Sequence, residues 1–220
     1  KDHPADGPSL LDAFRQECVK LKDFLEAKKI ITVPSQVLPI LEETPPFARA
    51  LTFASMDTPG PYELVAKEAF FNVTLPQKEW PADRIEDFLR GYHRGTILST
   101  AIHEAYPGHY IQFLWMQKVD SRVRKLLGAA SNAEGWAHYS EQMMVDAGFR
   151  KNEPAIRLGQ LAKALVRLAR LIVAIRLHCE DLSVEQGVRF FRDEAFLEES
   201  AARREAERGY TDLPLLPPDL

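Results

Sequence analysis

The chain has 220 residues, 45% of them hydrophobic and 27% charged, enough for one substantial buried core. Its 28 Lys and Arg against 32 Asp and Glu leave a formal charge of −4, with no basic excess to release counterions from a nucleic-acid backbone, so nucleic acid is excluded as the main partner. No run approaches the roughly 20 apolar residues of a membrane span. The most apolar stretch, 161–177, is interrupted by Lys163, Arg167, Arg170 and Arg176.

The segment Ser9–Lys28 reads as a helix, with Ser9 as N-cap and an apolar face of Leu10, Leu11, Phe14, Leu21, Phe24 and Leu25. From Ile30 to Pro81, prolines at 34, 39, 45, 46, 59, 61, 76 and 81 exclude long helices. Two short stretches there, Ala48–Ser55 and Ala69–Leu75, predict a small antiparallel strand pair. Beyond Asp83 the chain reads as helical: Asp83–Tyr92, Thr96–Tyr106, a helix capped by Ser131 and stopped at Gly148, one from Pro154 to about Cys179, a short one capped by Ser183, and Ala195–Arg208. The tail from Leu213 is too proline-rich for a helix. The expected architecture is a mainly helical α+β domain over 1–220, divided into a first helix (1–29), a proline-rich strand and loop region (30–81) and a helical region (82–212).

Two cysteines, Cys18 and Cys179, make no disulfide framework and read as free thiols in a reducing compartment. With no signal-like segment at the start, a cytoplasmic location is slightly favoured. A secreted or periplasmic one stays open if an N-terminal part has been removed.

The chemistry concentrates in Ala101–Tyr110, AIHEAYPGHY. His103 and Glu104 are adjacent near the end of an apolar helix, and His109 follows. Zinc hydrolases need neutral imidazoles as ligands and a nearby carboxylate to take a proton from a metal-activated water. On a regular helix a His at i+6 sits roughly 240° around, on the wrong face. Pro107 and Gly108 predict a break near Tyr106 that lets His109 swing back beside His103. In Ser131–Glu141, Glu134, His138 and Glu141 stand at i, i+4 and i+7, on one face of a helix that otherwise looks buried. Buried charges need a partner or a metal. Two imidazoles from one segment and Glu134 from the other give a three-ligand zinc site. If His109 does not reach it, Glu141 or His138 takes its place.

His103-Glu-Ala-Tyr-Pro-Gly-His109, followed by Glu134-Gly-Trp-Ala-His-Tyr-Ser-Glu141, resembles the bacterial family catalogued as domain of unknown function 885. Glu43–Phe47 and Arg170–Arg208, with Ile175-Arg-Leu-His178, follow the same texture. The resemblance implies a zincin-like fold related to mainly helical metallopeptidases, with His103, His109 and Glu134 holding the metal and Glu104 as general base. His178 matches a family position as a hydrogen-bond donor to substrate or intermediate, the other reading being a histidine packed near a helix C-terminus. The tail departs from the family's tyrosine-containing segment, with Tyr210 as the candidate substitute for its oxyanion-stabilising tyrosine. It also implies that the chain is the C-terminal catalytic part of a longer architecture. His138 departs from the family's usual aliphatic residue.

The expected function is zinc-dependent hydrolysis of a peptide substrate. The alternatives are a metal-binding but silent domain, and a helical interaction module without metal. A homo-oligomer would cover exposed apolar surface. Of the other groups, Lys163, Arg167 and Arg170 form a basic stripe able to hold a substrate carboxylate or to be ion-paired. His93 reads as a surface residue. Phe70, Phe71 and Val73 read as core, with pairing to an extended peptide as the other reading.

Overall fold

The computed structural model describes residues 2–50 and 52–211. The fold begins with helix α1, Gly7–Lys28. Asp6, rather than Ser9, is its N-cap: Asp6 accepts from the Ser9 backbone N–H, and the Ser9 hydroxyl accepts from the Asp6 N–H, a reciprocal box that satisfies two end groups. Strands β1 (Ile40–Glu43), β2 (Ala54–Asp57) and β3 (Phe70–Val73) follow. They form one sheet in the order β1-β3-β2, parallel between β1 and β3 and antiparallel between β2 and β3. The expected antiparallel pair is therefore β2–β3. The expectation missed β1 and began the first strand too early, because the chain turns through 47–50. β3, paired on both sides, has no edge for a peptide. β2 does.

The rest is helical: α2 (Ala82–Arg90), α3 (Arg94–Glu104), α4 (His109–Met116), α5 (Arg122–Leu126), α6 (Ala130–Asp146), α7 (Pro154–Cys179), α8 (Val184–Ala195) and α9 (Glu199–Thr211). Ser131 lies inside α6, whose N-cap is Ala129. Ser183 caps α8 through a box with Gln186. The chain is thus mainly α with a small sheet, as the sequence predicts, and the sheet is mixed rather than antiparallel because β1 joins β3 in parallel. The tail beyond Thr211 lies outside the described residues.

Two clusters of buried apolar side chains hold these elements. The larger joins Leu10, Phe14, Leu21 and Leu25 of α1 to Phe71 and Val73 of the sheet, Leu98 and Ile102 of α3, and Tyr106. Each such fully buried Leu or Phe contributes roughly 2–3 kcal/mol. The smaller joins Val173 of α7, Val188 and Phe191 of α8, and Ala202 and Ala206 of α9. Helix α3 links the two, because it packs on α1, α6 and α7. Its approach to α7 is set by glycine: a Cβ on Gly159 would lie 2.6 Å from the Gly95 backbone, and one on Gly95 would lie 2.6 Å from the Ala155 carbonyl oxygen. The helices meet again at His103 and Arg167, eight residues further along both, so they run in the same direction. On its outer face α7 leaves Leu158, Leu161, Leu168, Ile172 and Ile175 exposed. Cys18 is buried in α1 and Cys179 is exposed at the end of α7, both as free thiols.

Candidate metal centre

The helix break falls where Pro107 and Gly108 require it. α3 ends at Glu104, the Tyr106–Pro107 bond is cis, and α4 starts at His109 with Gly108 as its N-cap. The Gly108 N–H donates to the Ile102 carbonyl at 2.9 Å. A Cβ there would sit 1.7 Å from the His103 carbonyl oxygen, so this reversal admits only glycine. It folds α4 back and brings the His103 and His109 rings into an edge-to-face pair with centroids 4.8 Å apart. The His109 ring is stacked on Phe113.

Helix α6 lies across this turn, pinned where the Trp136 indole N–H donates to the Pro107 carbonyl at 2.9 Å. Glu134, two residues earlier, then reaches both rings. One carboxylate oxygen is 3.3 Å from His103 Nε2 and the other 3.5 Å from His109 Nε2. The ligand atoms of His103, His109 and Glu134 all lie within 4.8 Å of one another. Ligands 2.0–2.1 Å from a tetrahedral zinc stand about 3.3–3.4 Å apart, and the two His–Glu separations, each to a different carboxylate oxygen, are of that size. His109 Nδ1 is buried without a hydrogen-bond partner, which leaves its ring uncommitted to any other acceptor. The donor set, two imidazoles and a carboxylate with room for a further ligand, fits zinc.

Glu104 is buried beside this group and lines the same cavity. Burial raises its carboxyl above the ordinary range, against the opposing pull of His103 and His109. Glu134 moves the other way. Burial would raise it, but hydrogen bonds from His103 and His109 outweigh that and hold it well below the carboxylate range. For His103, burial would lower the imidazole, yet Glu134 and Glu141 push it up to about 9 without a metal. The two carboxyls are therefore shifted in opposite directions, and Glu104 is the one raised, the direction that suits a general base.

Behind the ligands lies a second layer that motif reading did not resolve. Glu141 is 1% exposed; its Oε1 accepts from His103 Nδ1 at 2.9 Å and from Arg167 Nη2 at 2.7 Å, and its Oε2 accepts from the Ser99 hydroxyl. With Nδ1–H donated to Glu141, His103 keeps its Nε2 lone pair for a metal. Burial would raise Glu141, but Arg167 outweighs it, so the carboxylate stays ionised. Glu141 thus stands behind His103, outside the group formed by His103, His109 and Glu134. His138 stands 3.8 Å from it, outside the ligand group. The signal for Glu141 was its place at i+7 from Glu134, but no spacing indicates that Arg167 meets it from another helix.

A cavity of about 890 Å³ opens from this centre and runs between the two apolar clusters. Its walls include Thr52–Met56 of the β2 edge, Lys163, Arg170 and Arg204. Two expected site residues do not line it. His178 donates to, or accepts from, no group of the centre that the structure records; its Nε2 meets the Gly209 carbonyl at 2.9 Å. It sits 11 residues beyond Arg167 on α7, a rise of about 16 Å. Tyr210 is 61% exposed on α9. Arg208 and Gly209 of the last turn of α9 line the cavity, but the Tyr210 side chain that follows them faces solvent. His93 is half-buried and lines the cavity, its ring accepting from the Thr96 N–H to cap α3, and is not a plain surface residue.

The fold has solved relatives. A candidate lipoprotein of unknown function from Shewanella oneidensis is similar over 99% of this chain at 28% identity, with a TM-score of 0.82. A candidate lipoprotein from Colwellia psychrerythraea is similar in fold over 92% of the chain at 21% identity, with a TM-score of 0.71. The chain spans 38% and 33% of the lengths of those two proteins. No curated protein matches it. The model of one family, described as bacterial protein of unknown function (DUF885), matches residues 2–214, and the chain belongs to that family.

Proposed function

We propose that this protein is a zinc-dependent peptide hydrolase with a zincin-like site, its metal held by His103, His109 and Glu134. The observation that carries this reading is the Glu134 carboxylate spanning both imidazoles at 3.3 and 3.5 Å, beside a buried Glu104 whose carboxyl is raised. Zinc in such a site supplies Lewis acidity toward a carbonyl oxygen. The protein's own groups do the rest. Glu104 takes a proton from the attacking water and passes it to the leaving amine. Glu141 and Arg167 fix the His103 ring. The free edge of β2, which lines the cavity, offers backbone groups to an extended peptide, the recognition mode that favours a peptide over other acyl substrates. The lipoprotein descriptions of both solved relatives favour the cell envelope over the cytoplasm as the place of action. No described helix is long and apolar enough to cross a membrane.

The test is turnover of a mixed peptide pool by the zinc-loaded protein, compared with Glu104→Gln. Loss of about a thousandfold in rate with metal retained is expected. Metal without turnover in either protein identifies a silent metal-binding domain. Absence of both metal and any chelator-induced change in melting temperature identifies a helical interaction module.

A further inference from the structure

Helix α7 carries three cations along the cavity at one-turn spacing, and two of them have carboxylate partners. Arg167 pairs with Glu141 at 2.7 Å, and Arg170 makes two hydrogen bonds of 2.7 Å to Glu205 of α9. Lys163 forms no ion pair among the described residues; its Nζ stands 5.7 Å from the centre of the Phe53 ring. Arg204 of α9 lies over the same ring, with its Cζ 3.6 Å from the centroid. Its Nε is buried without a hydrogen-bond partner, and no described carboxylate pairs with it. Both cations line the cavity that contains the metal group. Neither has a role in the hydrolysis described above.

We propose that Lys163 and Arg204, flanking Phe53, form a subsite for the C-terminal carboxylate of a short peptide, and so make the substrate a peptide with a free C-terminus close to the scissile bond. The proposal rests on the hydrolase reading for the peptide nature of the ligand, and on the cavity's own charges for the carboxylate. Lys163 precedes Arg167 by one helical turn, about 6 Å, and Arg167 Nη2 touches His103 Nδ1 at 2.9 Å. An extended peptide advances about 3.3 Å per residue, so a carboxylate on Lys163 belongs to a residue one or two positions beyond the cleaved bond. Burial, reinforced by Arg167 and Arg170, pushes the Lys163 ammonium down to about 8, which leaves it mostly charged at neutral pH. Glu141 and Glu205 attract the part-buried Lys163 ammonium only from beyond ion-pair distance, and an incoming carboxylate at contact would offset its desolvation. The Arg204 guanidinium, with its Cζ 3.6 Å from the ring centroid, has N–H donors to offer the same group.

The experiment uses N-acetyl-trialanine and its C-terminal amide as probes. Binding to zinc-loaded Glu104→Gln is measured by calorimetry, and turnover of the same pair is measured with the zinc-loaded native sequence. The acid is expected to bind at least about tenfold more tightly than the amide, the scale of a charge-assisted pair. That preference is expected to fall below about twofold when Lys163→Gln and Arg204→Gln are added, and to survive in Lys163→Arg. Equal affinity for acid and amide, no binding of either, or a preference that outlasts the loss of both cations overturns the subsite. If the variant lacking both cations does not fold, the acid-to-amide ratio of the unaltered cavity decides. A preference in binding with no turnover keeps the subsite and overturns the hydrolase reading, so the two claims fail separately.

Discussion

The two ends of the cavity carry opposite electrostatic deficits. At the α3–α4 end, carboxylates and imidazoles crowd together: Glu134 spans two rings, Glu141 holds a third contact from behind, and Glu104 is buried with its carboxyl raised. Arg167 answers Glu141 there, and a divalent cation would answer Glu134. At the α7–α9 end, Lys163 and Arg204 face an aromatic ring and form no ion pair with a carboxylate among the described residues, while neighbouring Arg170 takes up Glu205. An incoming anion would answer these two cations. Both deficits arise from the same packing, since α7 is drawn against α3 by the Gly95–Gly159 contact and carries Arg167 to one end and Lys163 toward the other. A cavity polarised in this way orients a substrate that has a carbonyl at one end and a carboxylate at the other.

This contrast can be broken at several points. The largest effect is expected from Glu205→Gln. Removing one partner of this buried pair leaves Arg170 undercompensated and costs about 3 kcal/mol in urea unfolding at pH 7. The pH dependence has a defined sign. Burial would raise Glu205, but Arg170 outweighs it and lowers the carboxyl to about 2 from 4.5. Its stabilisation is therefore complete above about 4.5 and is lost as pH falls toward 2. In the variant, the fall in stability across that window becomes shallower. An unchanged slope would mean that the pair is not formed in solution.

A somewhat smaller cost, about 2 kcal/mol, is expected for Gly159→Ala, whose methyl meets the Gly95 backbone at 2.6 Å and forces α7 away from α3. The shift also moves Arg167 off Glu141, so zinc affinity and stability fall together. Thermal unfolding and metal titration of the same sample check this. A variant with native melting temperature and affinity would show that the helices have slack there. Glu141→Gln keeps the shape but weakens the hold on His103 Nδ1. Zinc affinity is expected to fall by about ten- to a hundredfold, and because Glu141 is the buried partner of Arg167 the change also costs about 3 kcal/mol of stability. The complementary Ser99→Ala, which removes only the hydroxyl donated to the far oxygen of Glu141, separates charge from hydrogen bonding.

How much of this was legible in the sequence differs between the same two ends. The α3–α4 end was readable because its chemistry is local: His103, Pro107, Gly108 and His109 lie within seven residues, and the break that rescues the i+6 spacing follows from proline and glycine backbone rules. Helix α7 was readable too, since Pro154 suits a first turn and the apolar run is long. The other end depends on packing. Nothing in the spacing of Lys163, Arg167 and Arg170 reveals which two meet Glu141 and Glu205, 26 and 35 residues away. β1 was hidden among prolines because its four residues are held by pairing with β3 rather than by their own propensity. His178 and Tyr210 rest on family resemblance alone: His178, near the end of α7, meets the Gly209 carbonyl, and Tyr210 is exposed on α9.

The central claim is that His103, His109 and Glu134 form a metal centre. Its most direct test is the zinc content of the purified, zinc-loaded and dialysed protein, measured by elemental analysis beside His109→Ala and Glu134→Ala. The account predicts about one zinc per chain in the native sequence and less than about a tenth in either variant. A native protein that retains no stoichiometric metal, or variants that retain it in full, would contradict the account.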